Sequence, residues 1–219
     1  MNSHIPCLNE LLVLAALAFP ASLNALVPGA KKLKLAGSMA LNAGIYVVLL
    51  AMAALALGGG FPVPRLGAAP ALYALAPLAG LLAVGVEYAL GALVVLVRTG
   101  SMAKRASAHS YYRSGAWALD LPLIVALAFL EELVFRQVFV TVFLDSFGIA
   151  VAPAVLACGA VYALNHSYFG RDVVMQKFLS GILYCTLFVL SGRDVLVVAL
   201  AHIGQNVSVY LLSRRGGQA

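Results

Sequence analysis

Phe129-Leu130-Glu131-Glu132-Leu133-Val134-Phe135-Arg136 is the stretch on which the reading of this chain turns. It lies inside an apolar run from about Ala116 to Leu144, long enough to cross a bilayer. On insertion scales a charged residue at a helix centre costs roughly 2.5–3.5 kcal/mol, against about 0.3–0.6 gained per Leu, Ile, Phe or Val. Two carboxylates and a guanidinium facing lipid would therefore cost on the order of 8–10 kcal/mol. They must face a protein interior or a water-filled cavity, which marks them as functional.

Working outward, the whole chain shares the apolar character of that run. Its 219 residues are 63% hydrophobic and 10% charged, with a mean hydropathy of +1.00. A water-soluble domain of this size could not hide so much apolar side chain. The reading is an all-α, polytopic transmembrane helical bundle in a lipid bilayer. About seven spans are expected, near 10–27, 36–57, 69–97, 117–144, 147–166, 173–190 and 195–212. The chain reads as one transmembrane domain over 1–219, with spans free of motifs in 1–115 and the chemistry-bearing helices in 116–212. Pro70 and Pro77 are expected to bend the start of the third span.

The net charge of +6 does not indicate nucleic acid, because the basic residues form short clusters between apolar spans. Lys31, Lys32 and Lys34 follow span one. Arg98, Lys104, Arg105 and Arg113 follow span three, Arg171 and Lys177 follow span five, and Arg214 and Arg215 follow span seven. The opposite connections hold only Arg65 and Arg193. By the positive-inside rule the N-terminus lies outside and the C-terminus in the cytoplasm. Short loops suit a bacterial inner membrane. Cys7, Cys158 and Cys185 give neither a disulfide framework nor a metal spacing. The first nine residues carry no Lys or Arg, so the first span reads as a retained membrane helix rather than a signal peptide.

Three polar constellations remain. Glu132 and Arg136, four apart in span four, share a helix face and can pair, while Glu131 is turned about 100° away. The carboxylate beside Arg136 is expected to stay ionised and the other to hold its proton more tightly. The second constellation is His166, in Tyr162-Ala163-Leu164-Asn165-His166, with Tyr162 expected to pack against the bundle. The third is His202-Ile203-Gly204-Gln205-Asn206, where His202 and Asn206 face the same way and Gly204 allows close approach of a helix or a substrate backbone. By helical rise Glu131 lies roughly 21 Å and His202 roughly 15 Å from the basic face, so they can meet in one cavity. His4 and His109 fall in expected loops as plain surface residues.

Glu-Glu-x-x-x-Arg, then aromatic-x-x-x-His, then His-x-x-x-Asn, in that order on successive spans, resembles the CPBP family (CAAX prenyl protease and bacteriocin-processing, or Abi, intramembrane proteases). The family's second motif usually has Phe where this chain has Tyr162, and the resemblance covers only the part from span four onward. It implies an intramembrane endopeptidase that hydrolyses a peptide bond in a membrane-associated protein or peptide: a C-terminal tail, a leader or a sorting signal. On that resemblance Glu131 is the base that activates water and His166 helps hold the water. Glu132 and Arg136 orient the site, and His202 and Asn206 donate to the oxyanion or support its donors. No cofactor is favoured. The metal-dependent alternative takes zinc on Glu131, His166 and His202, although His-Glu-x-x-His is absent. A rival class is a non-catalytic membrane immunity or scaffold protein, or a proton-coupled carrier using Glu131 and His202 as a relay.

Overall fold

The computed structural model describes residues 8–101 and 117–216, the side chains of 215 and 216 excepted. His4, His109, Cys7, Lys104, Arg105 and Arg113 lie outside the described residues. What is described is all-helical: α1 (Leu8–Leu17), α2 (Leu35–Leu57), α3 (Pro70–Thr99), α4 (Trp117–Glu132), α5 (Val151–Leu164), α6 (Arg171–Leu190) and α7 (Val195–Gly216). Among the described residues four helices are long and apolar enough to cross a membrane: α2 with the turn after it, α3, α6 and α7. The expected number of about seven spans does not follow from the helix lengths.

The differences have local causes. Span one is broken: α1 stops at Leu17, the chain bends by 66°, and a 3₁₀ helix follows from Pro20 to Leu26. Pro20 has no N–H to donate, and its ring would strike the carbonyl a turn earlier in a continued α-helix. Span five shortens to the 14 residues of α5. Gly148, at φ 62°, turns the chain out of the preceding helix before α5 can start. Span three is one helix: Pro70 opens α3, where no N–H is needed, and Pro77 sits within its first turns.

Span four differs most from expectation. After Glu132 the helix continues with π winding over Leu133–Val140 and again over Val142–Ser146. Each N–H bonds five residues back, which widens the turn, a form that is rare and concentrated at functional sites. Val134 through Val140 are buried without interruption. A segment buried all round lies inside the bundle rather than on its face.

α7 is the centre of the arrangement, packed on α3, α4 and α6, while α5 packs on α6 and α2 on α4. The most apolar window of α7 is 44% buried, against 11% for α2 and 17% for α3. The outer helices instead present Leu55, Val97 and Leu190 to their surroundings. Apolar side chains on this scale belong against lipid, and the protein is an integral membrane protein.

On the side opposite the basic connections, Asp194 clasps two loops. Its carboxylate accepts from Tyr73 Oη (2.5 Å), Gly67 N (2.9 Å) and Ala68 N (3.1 Å), and from Leu196 N (2.9 Å) at the start of α7. Arg193, at φ 67°, pairs with Asp145 at the end of the π segment (2.7 Å).

Candidate active site

The three motifs meet where α4, α5, α6 and α7 converge. Glu132 and Arg136 are fully buried, and Arg136 Nη1 lies 3.0 Å from Glu132 Oε1, the pairing expected from their spacing. The same Glu132 oxygen lies 2.6 Å from Nδ1 of His202 on α7. A carboxylate accepts, so Nδ1 carries the proton and donates to Glu132. The opposite ring nitrogen, His202 Nε2, is 3.9 Å from Glu131 Oε2. Glu131 is the more accessible of the two acids, 7% exposed against 0% for Glu132.

Two tyrosines wall the guanidinium. Arg136 Cζ stands 4.3 Å from the centre of the Tyr162 ring and 5.4 Å from that of Tyr184. An arginine over aromatic faces in a dry environment gains about 2 kcal/mol or more from the ring quadrupole. Tyr184 also lies against His202, ring centres 5.3 Å apart, and its hydroxyl donates to Gln205 Oε1 (2.5 Å). Tyr162 sits between the two histidines, 4.7 Å from His166 and 6.1 Å from His202 by ring centres.

His166 lies just past the end of α5. Its Nδ1 donates back to the Tyr162 carbonyl (2.8 Å), which fixes the tautomer and leaves Nε2 as the acceptor in the neutral ring. Its neighbour Asn165 anchors that turn, donating to Tyr46 Oη of α2 (3.2 Å) and accepting from Ala21 N (3.2 Å).

Asn206 is not drawn into this network: it is half-buried, and no hydrogen bond or ion pair joins it to the other site residues among those described. The interior position on that turn belongs to Gln205. Gly204 meets Pro77 of α3, so the close approach it permits is that of another helix. The sequence reading assigns no role to Tyr184 or Glu87, and none to Gln205 beyond its place in the α7 motif. Glu87 could have been found, because a single acid within the apolar α3 carries the same cost that singled out Glu131.

Zinc would need at least three donors. Among the described residues no group of three or more His, Cys, Asp and Glu side chains gathers to hold a metal ion.

Residues 113–208 match the family model described as type II CAAX prenyl endopeptidase Rce1-like. That segment is similar to a membrane protease. It contains every residue that the three motifs single out, and it excludes α1, α2 and α3. The comparisons with curated proteins and with solved structures find no match.

Proposed function

We propose that the protein is an intramembrane endopeptidase that hydrolyses a peptide bond in a membrane-associated substrate with a water activated by Glu131. The observation that carries this reading is the placement of His202: Nδ1 is locked on Glu132 at 2.6 Å and Nε2 faces Glu131 at 3.9 Å. A ring held in that way presents one nitrogen to the reacting space while the other cannot turn.

The steps follow from what each group can donate or accept. Glu131 takes a proton from water held between its carboxylate and His166 Nε2, and the oxygen attacks the peptide carbonyl. Negative charge develops on the carbonyl oxygen, where preorganised donors stabilise it most effectively. His202, held through Nδ1 on Glu132, is placed to donate from Nε2 to that oxygen when its ring carries both protons. Asn206 keeps its amide for the substrate backbone. Glu131 returns its proton to the leaving nitrogen, completing hydrolysis without a covalent intermediate. Arg136 balances the charge of Glu132 and holds it on His202 throughout.

The finer identity follows the same reading. The basic connections put the N-terminus outside and the C-terminus in the cytoplasm, and the substrate is a C-terminal tail, a leader or a sorting segment at that face. α4 to α7 form the catalytic unit, with the preceding helices as its support.

The test is mass spectrometry of peptides of these three kinds, prenylated and unprenylated, incubated with the purified protein in lipid nanodiscs, with and without chelator. Cleavage at one bond that persists with chelator supports the reading. Cleavage abolished by chelator and restored by zinc would transfer the chemistry to a metal, and intact peptides throughout would count against a peptidase.

A further inference from the structure

Outside the matched segment, α3 carries one acid into the middle of the bundle. Glu87 Oε1 accepts from Lys177 Nζ (2.9 Å) and Ser180 Oγ (2.6 Å), both on α6, and the Glu87 carbonyl accepts from Gln176 Nε2 (3.2 Å). The Glu87 and Lys177 side chains are only 13% and 17% exposed. Reading Lys177 as a loop charge thus misses its role: it lies within α6, paired to another helix.

This cluster adjoins the candidate active site in two directions. Ser180 and Tyr184 are one turn apart on α6, and Tyr184 donates to Gln205 and lies against His202. Gln205 Oε1 accepts that hydrogen bond, while its Nε2 is buried without a hydrogen-bond partner. In the other direction α6 packs on α5 one turn past Lys177, where a Cβ on Gly181 would lie 3.1 Å from the Tyr162 ring. The α3 backbone also presses on α7 at this level. A Cβ on Gly80 would lie 2.0 Å from the Ala201 carbonyl oxygen and 2.7 Å from Gln205 N. Glu87 follows Gly80 by two turns, on the same face.

We propose that Glu87 is a positioning residue for the peptidase site, fixing α6 through Lys177 and Ser180, so that Tyr184, which holds Gln205 and lies against His202, keeps its register and with it that of His202 against Glu132. The proposal rests on the peptidase reading for its kinetic consequence, but not for its structural one. An ion pair that served only to join helices could be exchanged for apolar side chains with no effect on the site, since such exchanges are often neutral or stabilising. A positioning pair could not.

The deciding variant is therefore the double exchange Glu87→Met with Lys177→Met, compared with Glu87→Gln with Lys177→Met, which restores a polar partner for Ser180. Both are read by thermal unfolding and by the ring ¹⁵N resonances of selectively labelled histidine, in nanodiscs. The expected result is a folded Met/Met protein with shifted His202 resonances, partly recovered in the Gln/Met protein. On any peptide the wild type cleaves, kcat falls by about tenfold to a hundredfold with KM little changed, as expected for a small misplacement of reacting groups. His202 resonances and kcat in the folded Met/Met protein that match the wild type would overturn the proposal. A wild type that cleaves nothing would count against the peptidase reading instead, and the histidine resonances would still decide the positioning role.

Discussion

His202 and Glu132 are joined across two helices by a hydrogen bond of 2.6 Å between Nδ1 and Oε1, at an oxygen that Arg136 also reaches at 3.0 Å. One carboxylate oxygen thus serves both the neighbouring turn of its own helix and the histidine that faces Glu131. Two side chains buried to 2% exposure or less, Arg136 and His202, depend on it.

Glu132→Gln should therefore damage the fold before it damages the chemistry. It leaves Arg136 as an uncompensated buried charge, and breaking a buried pair in that way costs about 3–5 kcal/mol. Thermal unfolding in detergent measures it directly, with a large drop in Tm expected. Arg136→Met in the Glu132→Gln background removes the stranded charge and should restore most of the stability.

Tyr162 separates ring from hydroxyl. Its Oη is 3.5 Å from His202 Nε2, at the limit of a hydrogen bond, whereas its ring covers Arg136 at 4.3 Å. Tyr162→Phe keeps the ring and should change stability by less than about 1 kcal/mol. Tyr162→Ala empties the space between the histidines and the guanidinium and should cost about 3–5 kcal/mol. Chemical unfolding of the two variants side by side checks the ordering.

Gly80→Ala tests the contact between α3 and α7. The added methyl would sit 2.0 Å from a backbone oxygen that cannot turn aside, so the helices must separate. Overpacking of this kind costs about 1–3 kcal/mol. Gly204→Ala, whose nearest contacts with Pro77 are 3.0–3.3 Å, should be milder. Melting temperatures of both variants decide it.

Asp194 should give the fold an acid limit. Burial opposes its ionisation, but the hydrogen bonds from Tyr73, Ala68, Gly67 and Leu196 outweigh it and hold the pKa below its ordinary 3.8. A carboxylate depressed in the folded state contributes stability above the unfolded pKa, and loses it as pH falls through the folded value. The stabilisation should thus be complete near neutrality and disappear below about pH 4. Asp194→Asn should lower Tm at pH 7 and flatten the acid part of the Tm profile.

Much of the site was legible because charge in an apolar run is conspicuous. Glu131, Glu132 and Arg136 stood out by cost alone, and helical spacing gave the pair that forms. Spacing failed on α7, where Asn206 and Gln205 are adjacent and only the packing of α3 against Gly204 decides which one turns inward. The π winding after Glu132 has no signature in residue type. The supports from α2, α3 and the loop between them were hidden for another reason. Tyr46 on Asn165, Val63 O on Gln137 (3.1 Å) and Glu87 on Lys177 are long-range bonds that no local pattern announces.

The central claim is that Glu131 is the base, and Glu131→Gln tests it most directly because the amide keeps the shape and loses the proton acceptor. The measurement is the initial rate of peptide cleavage by the purified variant beside the wild type, with Tm confirming an intact fold. The account predicts a rate lower by at least about 10²-fold, the usual contribution of a general base, with substrate still bound. Cleavage at the same bond within a few-fold of the wild-type rate would contradict it.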